Sequence, residues 1–161
     1  MIKKVSLMVL SLMLAHNILF AAEVPQADSS DMAPAFKLMD LENKELALAS
    51  LKGRAVILFF WTTWCPSCQK EIKQMNDKQA ELSKDAVALV TINVNEPAAK
   101  VKKFFENYPH SFRVLLDIEG SVSQTYGVMG VPTYFLIDKK GRIVFNNNYF
   151  PQKEYKDLIS E

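Results

Sequence analysis

Cysteine and histidine are scarce in this sequence of 161 residues, with two of each, and neither sign of charge dominates. A structural zinc site takes four Cys or His ligands. If an N-terminal segment containing His16 is removed, the two cysteines and His110 could not complete such a site without carboxylates. The formal net charge of +1 gives no argument for binding nucleic acid or an acidic partner. The sequence also has no repeat at solenoid period and no low-complexity tract, which leaves an ordinary globular domain as the expectation.

The first 22 residues differ in composition from the rest of the chain. Lys3 and Lys4 precede an apolar stretch over residues 5–14, and the segment ends in small residues at 21–22. This pattern is typical of a secretory signal peptide. Phe20 lies where a small residue is preferred before cleavage, so an uncleaved membrane anchor is the alternative. The predicted organisation is a signal peptide or anchor, a flexible tether and one folded domain, over residues 1–22, 23–32 and 33–161.

The two cysteines, Cys65 and Cys68, form a C-x-x-C motif directly after the apolar run 56–60. A run this rich in apolar and β-branched residues predicts a buried parallel strand. Pro66 suits the first position of a helix, where its missing N–H costs nothing. Cys65 is therefore expected at a helix N-terminus, where free N–H groups and the helix dipole stabilise a thiolate. Cys68 follows one turn later on the same face, within reach of a reversible disulfide.

A purely structural disulfide is the alternative interpretation of this pair, because exported proteins keep disulfides. A structural bridge stabilises mainly by closing a long loop in the unfolded chain. A bridge between Cys65 and Cys68 closes a very short loop. The spacing therefore favours a redox-active pair.

Hydrophobic patterns along the chain predict strands that alternate with helices, and the last two strands pair as a hairpin. The expected fold is an α/β three-layer sandwich, with a central mixed sheet flanked by helices and an N-terminal β-hairpin. A C-x-x-C motif beside a βαβ pattern is the thioredoxin-like redox signature. The predicted strands cover residues 35–40, 44–48, 55–61, 86–94, 113–116, 131–137 and 142–147, and the predicted helices 66–83, 97–108, 119–126 and 154–159.

The motifs resemble the exported TlpA/ResA-like thiol–disulfide oxidoreductases of the thioredoxin superfamily, a group that includes the reductants of cytochrome c maturation. The resemblance covers about residues 33–159 and is carried by segments 33–36, 60–68 and 127–138 and by Glu71, while residues 97–126 resemble the family's central insertion. It implies an exported, periplasmic protein-disulfide reductase without a bound cofactor. Its implied partners are protein disulfide substrates such as apocytochrome c and a membrane thiol reductase that donates electrons.

The resemblance also implies roles for individual residues. Cys65 would attack and Cys68 would resolve the mixed disulfide, which calls for one exposed and one shielded cysteine. Pro132 resembles the cis-proline that faces the disulfide, and it would leave the backbone of Val131 free to pair with an extended substrate. The expected substrate-binding residues are Trp64, Pro66, Val131 and Pro132, with Trp64 also shielding the site.

Glu71 lies one helical turn after Cys68, so its carboxylate could accept or return a thiol proton. Cytosolic thioredoxins carry an acid on the strand before the motif, where this chain has Phe59, and the resemblance implies that Glu71 replaces it. A solvated glutamate on the helix surface is the alternative. His110 is expected in a surface loop rather than as a ligand.

Two other functions remain open at this stage. An oxidant of the DsbA type would introduce disulfides, but Ser67 is a weaker partner for a thiolate than a histidine between the cysteines, which favours the reductant. A copper-assembly or binding module without redox activity is the third. The motif has no second histidine or methionine cluster nearby, which argues against copper.

Overall fold

A computed structural model describes residues 32–160 of the chain. The predicted signal segment and residues 23–31 of the predicted tether lie outside the described residues. Met32, which was expected to end the tether, instead pairs with Arg142 in an antiparallel bridge. The N–H of Ala33 donates to the carbonyl of Gly141 at 2.9 Å. Met32 is therefore part of the described fold.

The described residues form seven strands, four α-helices and one 3-10 helix. No helix within residues 32–160 is long and apolar enough to cross a bilayer. The strands are β1 Lys37–Met39, β2 Glu45–Ala47, β3 Val56–Trp61, β4 Ala88–Val94, β5 Arg113–Asp117, β6 Thr133–Ile137 and β7 Ile143–Asn147. The helices are α1 Pro66–Lys84, α2 Ala98–Phe105, α3 Ser121–Thr125 and α4 Gln152–Ser160, and the 3-10 helix is Leu48–Leu51.

Five strands form one mixed sheet in the order β5-β4-β3-β6-β7. Strand β3 is central, runs parallel to β4 and is antiparallel to β6. Every residue of β3 and β4 is buried because both faces of the sheet are covered, which explains their continuous apolar sequence. The predicted mixed α/β sheet is confirmed.

The two faces of β3 contact different helices, because successive side chains of a strand point to opposite sides. Ile57 and Phe59 pack with residues of α1, α2 and α4. Leu58 and Phe60 pack on the other side with α3 and the N-terminal hairpin. The result is the predicted three-layer sandwich, with Cys65 at one end of its central strand.

The predicted N-terminal hairpin is present as β1 and β2, and it lies against the β5 edge of the sheet. Asp40 bridges to Leu115, and its carboxylate accepts a hydrogen bond from Arg113 Nε at 2.7 Å. Strand β5 belongs to the segment that resembles the family insertion, so the insertion supplies one edge of the sheet.

Several predicted boundaries differ from those of the structure, and two of these differences have an identifiable physical reason. Strand β6 begins at Thr133 rather than at Val131, since Pro132 has no N–H to donate to a neighbouring strand. Helix α3 begins at Ser121 rather than at residue 119, because Gly120 has a left-handed φ of 71° and forms the N-cap. A Cβ at Gly120 would also clash with the Asn95 side chain, in the turn after β4, so both the left-handed φ and this contact favour glycine.

Candidate active site

The two cysteines lie at the junction between β3 and α1, beyond the carboxyl end of the central strand. Cys65 is the N-cap of α1 and Pro66 is its first helical residue. The Sγ of Cys65 accepts a hydrogen bond from the N–H of Cys68 at 3.2 Å, and both thiols are free. A helix N–H thus points at the Cys65 sulfur, which is the geometry that stabilises a thiolate.

The surroundings of the two sulfurs differ less than the sequence suggested. Cys68 is fully buried, as expected, but Cys65 is also mostly enclosed, with 6% of its surface exposed. The reason is the loop opposite, whose Val131 carbonyl lies 3.6 Å from Cys65 Sγ. Trp64, which was expected to shield the pair, is 65% exposed and available to contact another protein. Pro66 is also exposed.

Burial distinguishes the chemistry of the second thiol. It raises the pKa of Cys68 to about 12, and the hydrogen bond with Cys65 adds to the effect. Cys68 is therefore an uncharged thiol at neutral pH. Since the thiolate is the attacking form, Cys65 is the sulfur placed to attack and Cys68 the one that must lose a proton before it can react.

The loop that faces Cys65 has its Val131–Pro132 peptide bond in the cis form. Within the described residues the N–H of Val131 donates no hydrogen bond, so it is available to an extended substrate. A groove of about 410 Å³ continues from this loop to Asn146–Asn148. Met129 stands beside it with 99% of its surface exposed. The loop thus combines a free backbone donor with an apolar contact next to Cys65.

Glu71 lies in a polar cluster rather than alone beside the thiols. Its Oε2 accepts hydrogen bonds from Lys78 Nζ at 2.6 Å and from the Tyr134 hydroxyl at 2.9 Å. Its side chain is 26% exposed and that of Lys78 only 17%. Burial raises the pKa of Tyr134, with contributions from Glu71 and Cys68, so the phenol keeps its proton. The ring of Tyr134 stacks on Phe59 at 4.5 Å.

Lys78 and Tyr134 were not among the predicted site residues. Lys78 follows Glu71 by seven residues, which is two helical turns on one face, so the spacing could have indicated the pair. Tyr134 comes two residues after Pro132, and only the antiparallel pairing of β6 with β3 places it next to Phe59.

A third missed residue is Glu96, which lies in the turn after β4 and just before the predicted helix 97–108. Its carboxylate is 3% exposed. One oxygen accepts from the backbone N–H of Thr63 at 2.6 Å, and the other accepts from the Thr63 hydroxyl at 2.6 Å. Asn93 Nδ2 and Lys100 Nζ complete the set at 2.8 and 2.7 Å.

These bonds hold the loop that leads into the C-x-x-C motif. Burial would raise the pKa of Glu96, but hydrogen bonds from Lys100 and Thr63 outweigh it, so the pKa is lowered and the carboxylate is ionised. The carbonyl of Thr63 also accepts from Gln69 Nε2 at 2.7 Å. Thr63, two residues before Cys65, is therefore fixed from both sides. Because parallel β3 and β4 end at the same sheet edge, their terminal residues could have been expected to meet.

His110 lies in a loop, as expected, between α2 and β5, but it is half-buried rather than fully exposed. Its ring packs 4.0 Å from the Phe105 ring and 5.3 Å from that of Phe112. Burial lowers the pKa of His110, which keeps the imidazole neutral at pH 7. Among residues 32–160, no group of three or more His, Cys, Asp or Glu side chains could hold a metal ion.

Comparison with known proteins assigns the family. The AhpC/TSA family model matches residues 30–146. The ResA thiol–disulfide oxidoreductase of Bacillus subtilis is 37% identical over 129 residues, which cover 80% of this chain and 72% of that protein. The chain belongs to the AhpC/TSA family and is a ResA-like member of the thioredoxin superfamily. ResA of Bacillus thuringiensis subsp. konkukian is 39% identical over 112 residues, which cover 70% of this chain but only 65% of the relative's own length.

Solved structures agree with this assignment. StoA from Bacillus subtilis superposes with a TM-score of 0.67 at 28% identity, covering 81% of this chain and 99% of StoA. A secreted disulfide oxidoreductase of Mycobacterium tuberculosis, described as homologous to DsbE of E. coli, gives a TM-score of 0.66 at 26% identity. That superposition covers 78% of this chain and 94% of the other. The thioredoxin-like fold predicted from the sequence is confirmed.

Proposed function

We propose that this ResA-like chain is an exported thiol–disulfide oxidoreductase that reduces disulfides of envelope proteins such as apocytochrome c through Cys65 and Cys68. The observation that carries the proposal is the geometry of the dithiol. Cys65 Sγ lies at the N-terminus of α1 and 3.6 Å from the carbonyl of Val131, the residue before the cis-proline. The relatives ResA and StoA, and the secreted disulfide oxidoreductase homologous to DsbE, support thiol–disulfide exchange.

The reaction proceeds by two exchanges. The Cys65 thiolate attacks one sulfur of a client disulfide, so a bond forms to Cys65 and the other client sulfur leaves as a thiolate that takes up a proton. Cys68 then loses its proton and attacks Cys65 Sγ. The internal disulfide forms, the second client thiol is released, and two electrons have passed to the client.

Proton removal from Cys68 controls the second exchange, because burial raises the pKa of this thiol to about 12. Glu71 is three residues further along α1 on the same face, and both residues influence the phenol of Tyr134. We assign Glu71 the role of proton acceptor, with Lys78 and Tyr134 holding its carboxylate in place. The oxidised protein would then regain two electrons from a membrane thiol reductase.

The proposal that the protein reduces disulfides, rather than introduces them, is supported by the surroundings of the same two thiols. A strong oxidant has a reduced form stabilised by its thiolate. Here the loop between the cysteines is Pro66-Ser67 without histidine, and burial disfavours a second thiolate at Cys68. Both features favour a reductant over a disulfide-introducing oxidant. A copper-binding module finds no support in the residues around the motif.

Export is supported by the signal-like sequence of residues 1–22 and by the secreted relative of Mycobacterium tuberculosis. The substrate-binding surface would be formed by Trp64, Pro66 and the Val131–Pro132 loop, all on the side of the fold that carries Cys65. An extended client segment would pair with the unused N–H of Val131.

Trapping in cells tests the proposal. The Cys68→Ala variant removes the resolving thiol, so the client should stay bound to Cys65 as a mixed disulfide that mass spectrometry identifies. The matched control carries Cys65→Ala as well and should capture nothing. Recovery of exported proteins with cysteine pairs, apocytochrome c among them, supports the proposal. Absence of any mixed disulfide specific to the single variant would contradict it.

A further inference from the structure

A second groove, of about 230 Å³, opens at the end of the sheet opposite the cysteines. Its floor is apolar and includes Leu48, Leu51, Val56 and Ile137. Strand β3 runs from Val56 at this groove to the C-x-x-C end of the sheet. Five residue steps of about 3.3 Å separate the groove from the catalytic end by at least about 16 Å. The groove is thus distinct from the dithiol site.

The rim of this groove is basic. Its only acidic residue among those described, Asp138, is 6% exposed and forms an ion pair with Arg142 at 2.8 Å. The carboxylate of Asp138 also accepts backbone N–H groups, so it is fully engaged. Four further cations on the rim are exposed and form no ion pair within residues 32–160: Lys52, Arg54, Lys139 and Lys140. Within residues 32–160, the groove therefore joins an apolar floor to a rim of cations that have no ion-pair partner, which suits an anionic amphiphile.

The N-terminal part of the chain reaches the fold at the same place. Met32 lines the groove and is 46% exposed, so the preceding residues enter here. In the anchored form, the nine residues 23–31 span at most about 30 Å when fully extended. That length would keep the basic groove, rather than Cys65, near the bilayer. Basic side chains around an apolar contact are the combination that binds an anionic lipid surface.

We propose that the basic groove docks on anionic phospholipid headgroups of the membrane that the chain is exported across. Headgroup phosphates would pair with the four rim cations, and the apolar floor would contact the glycerol and upper acyl region. Docking there would point Cys65 and the Val131–Pro132 loop away from the bilayer, toward client proteins. This surface is separate from the dithiol, so the proposal does not depend on the direction of electron transfer.

A fluorescent probe on the groove tests this in the full chain. Cys65→Ser and Cys68→Ser remove the native thiols, and Ala49→Cys, an exposed lining residue, then carries one environment-sensitive dye. The probes are vesicles of phosphatidylcholine, alone or mixed with phosphatidylglycerol. We expect a blue shift and higher intensity only with phosphatidylglycerol. Salt at about 1 M, where the Debye length is about 3 Å, should reverse it.

Charge variants identify the residues responsible. Replacing the four rim cations by glutamine should raise the phosphatidylglycerol needed for half-maximal response by at least about tenfold. A matched control removes the same charge from exposed lysines elsewhere and should change it by less than about twofold. The rim set is Lys52, Arg54, Lys139 and Lys140, and the control set is Lys70, Lys73, Lys102 and Lys103.

Several outcomes would overturn the proposal. An equal response to neutral vesicles would mean that apolar insertion alone carries binding, and equal weakening by the control set would mean a non-specific charge effect. A dye already blue-shifted in buffer and unchanged by vesicles would mean that residues 23–31 fill the groove. With Cys65 and Cys68 intact, the rim variant should keep its thiol-exchange rate, which verifies folding. If the rim variant does not fold, the salt titration of the protein with its rim cations intact decides: a phosphatidylglycerol response that salt does not reverse would contradict the proposal.

Discussion

At the level of single residues, the two thiols of one motif are made different by their neighbours. Cys65 receives a backbone N–H at the start of α1, whereas Cys68 is fully enclosed. Backbone donors stabilise the charge of a thiolate and burial opposes it. The proposed order of the two chemical steps therefore rests on position in the fold, because the residue type is the same.

This difference predicts selective alkylation. In the reduced protein at neutral pH, iodoacetamide should modify Cys65 far faster than Cys68, since burial raises the pKa of Cys68 to about 12. A pKa several units above the working pH leaves well under about one in a thousand Cys68 side chains as thiolate. If the two thiolates are equally reactive, the alkylation rate of Cys68 falls in proportion. Peptide mapping by mass spectrometry over a time course measures both rates. Equal rates would remove the assignment of Cys65 as the nucleophile.

The Glu71–Lys78 pair gives a second prediction with opposite signs for its two members. Glu71→Gln removes a negative charge near Cys68 and leaves the Lys78 cation, so the pKa of Cys68 should fall. Lys78→Gln leaves the Glu71 charge uncompensated, so the pKa of Cys68 should rise. Both predictions follow from the 2.6 Å contact and from the shared helix face. The measurement is thiolate absorbance of the reduced proteins against pH.

The thiol-exchange rate distinguishes a proton-accepting role of Glu71 from a purely electrostatic effect on Cys68. Glu71→Gln should slow reduction of a model disulfide although it makes Cys68 easier to ionise, because the proton acceptor is lost. Lys70→Gln, at an exposed site on the same helix, is the control and should match the wild type. Titration curves and rates that coincide for all variants would show that water handles the proton and that Glu71 is structural.

At the level of elements, the start of α1 depends on a residue that precedes α2. Glu96 binds both the N–H and the hydroxyl of Thr63, and Gln69 of α1 binds the Thr63 carbonyl. The loop between β3 and α1 is thus tied to the end of β4 as well as to its own helix. Movement of this loop would shift Cys65 relative to Val131. The Glu96–Lys100 ion pair, which lies outside the motif, is therefore expected to affect the reactivity of Cys65.

Glu96→Gln should therefore affect both stability and rate. Loss of charge-assisted hydrogen bonds at a buried site should lower the free energy of unfolding by about 1–3 kcal/mol. Reduction of a model disulfide should slow several-fold. Urea unfolding and single-turnover kinetics measure the two effects. The control is Glu106→Gln, which is exposed just after α2 and should change stability by less than about 0.5 kcal/mol.

The pH dependence of the same variant has a definite sign. The pKa of Glu96 is lowered in the folded protein from its ordinary value of 4.5 by the hydrogen bonds from Lys100 and Thr63. The stabilisation that ionised Glu96 gives the folded state is therefore complete above pH 4.5, and it is lost as the pH falls through the folded-state pKa. The stability gap between wild type and Glu96→Gln should narrow on acidification. A gap that stays constant below pH 4.5 would contradict the ionised assignment.

At the level of the whole molecule, the described fold places the dithiol at one end of the sheet and the basic groove at the other. The redox potential of the Cys65–Cys68 pair is a property of the whole fold, because it depends on how strongly the fold stabilises the oxidised form relative to the reduced form. With Ser67 in the motif and burial disfavouring a Cys68 thiolate, the potential should lie nearer that of thioredoxin, about −270 mV, than that of DsbA, about −120 mV.

Equilibration with glutathione buffers, followed by separation of the oxidised and reduced forms, measures this potential. A value above about −180 mV, the scale of protein disulfide isomerase, would favour the oxidant. Ser67→His is the matched variant. It should raise the potential, because a histidine beside the helix N-terminus would further stabilise the thiolate and with it the reduced form.

The sequence by itself determined the features that rest on local patterns. Continuous apolar runs predicted β3 and β4, and Pro66 predicted the helix start, because these depend on burial and backbone preference near in sequence. The motif then placed Cys65 and Cys68 on one helix face. The layered α/β fold followed from the alternation of strands and helices, and the resemblance supplied the cis form of Pro132.

Only the tertiary structure decided which distant residues meet at the site. Glu96 and Thr63 are 33 positions apart, and Tyr134 and Glu71 are 63 apart, so no local pattern joins them. Their contacts depend on strand register and on the carboxyl ends of parallel strands sharing one edge. The enclosure of Cys65 by Val131 and the basic groove likewise arise from segments that are remote in sequence, because packing in three dimensions is set by the whole sheet.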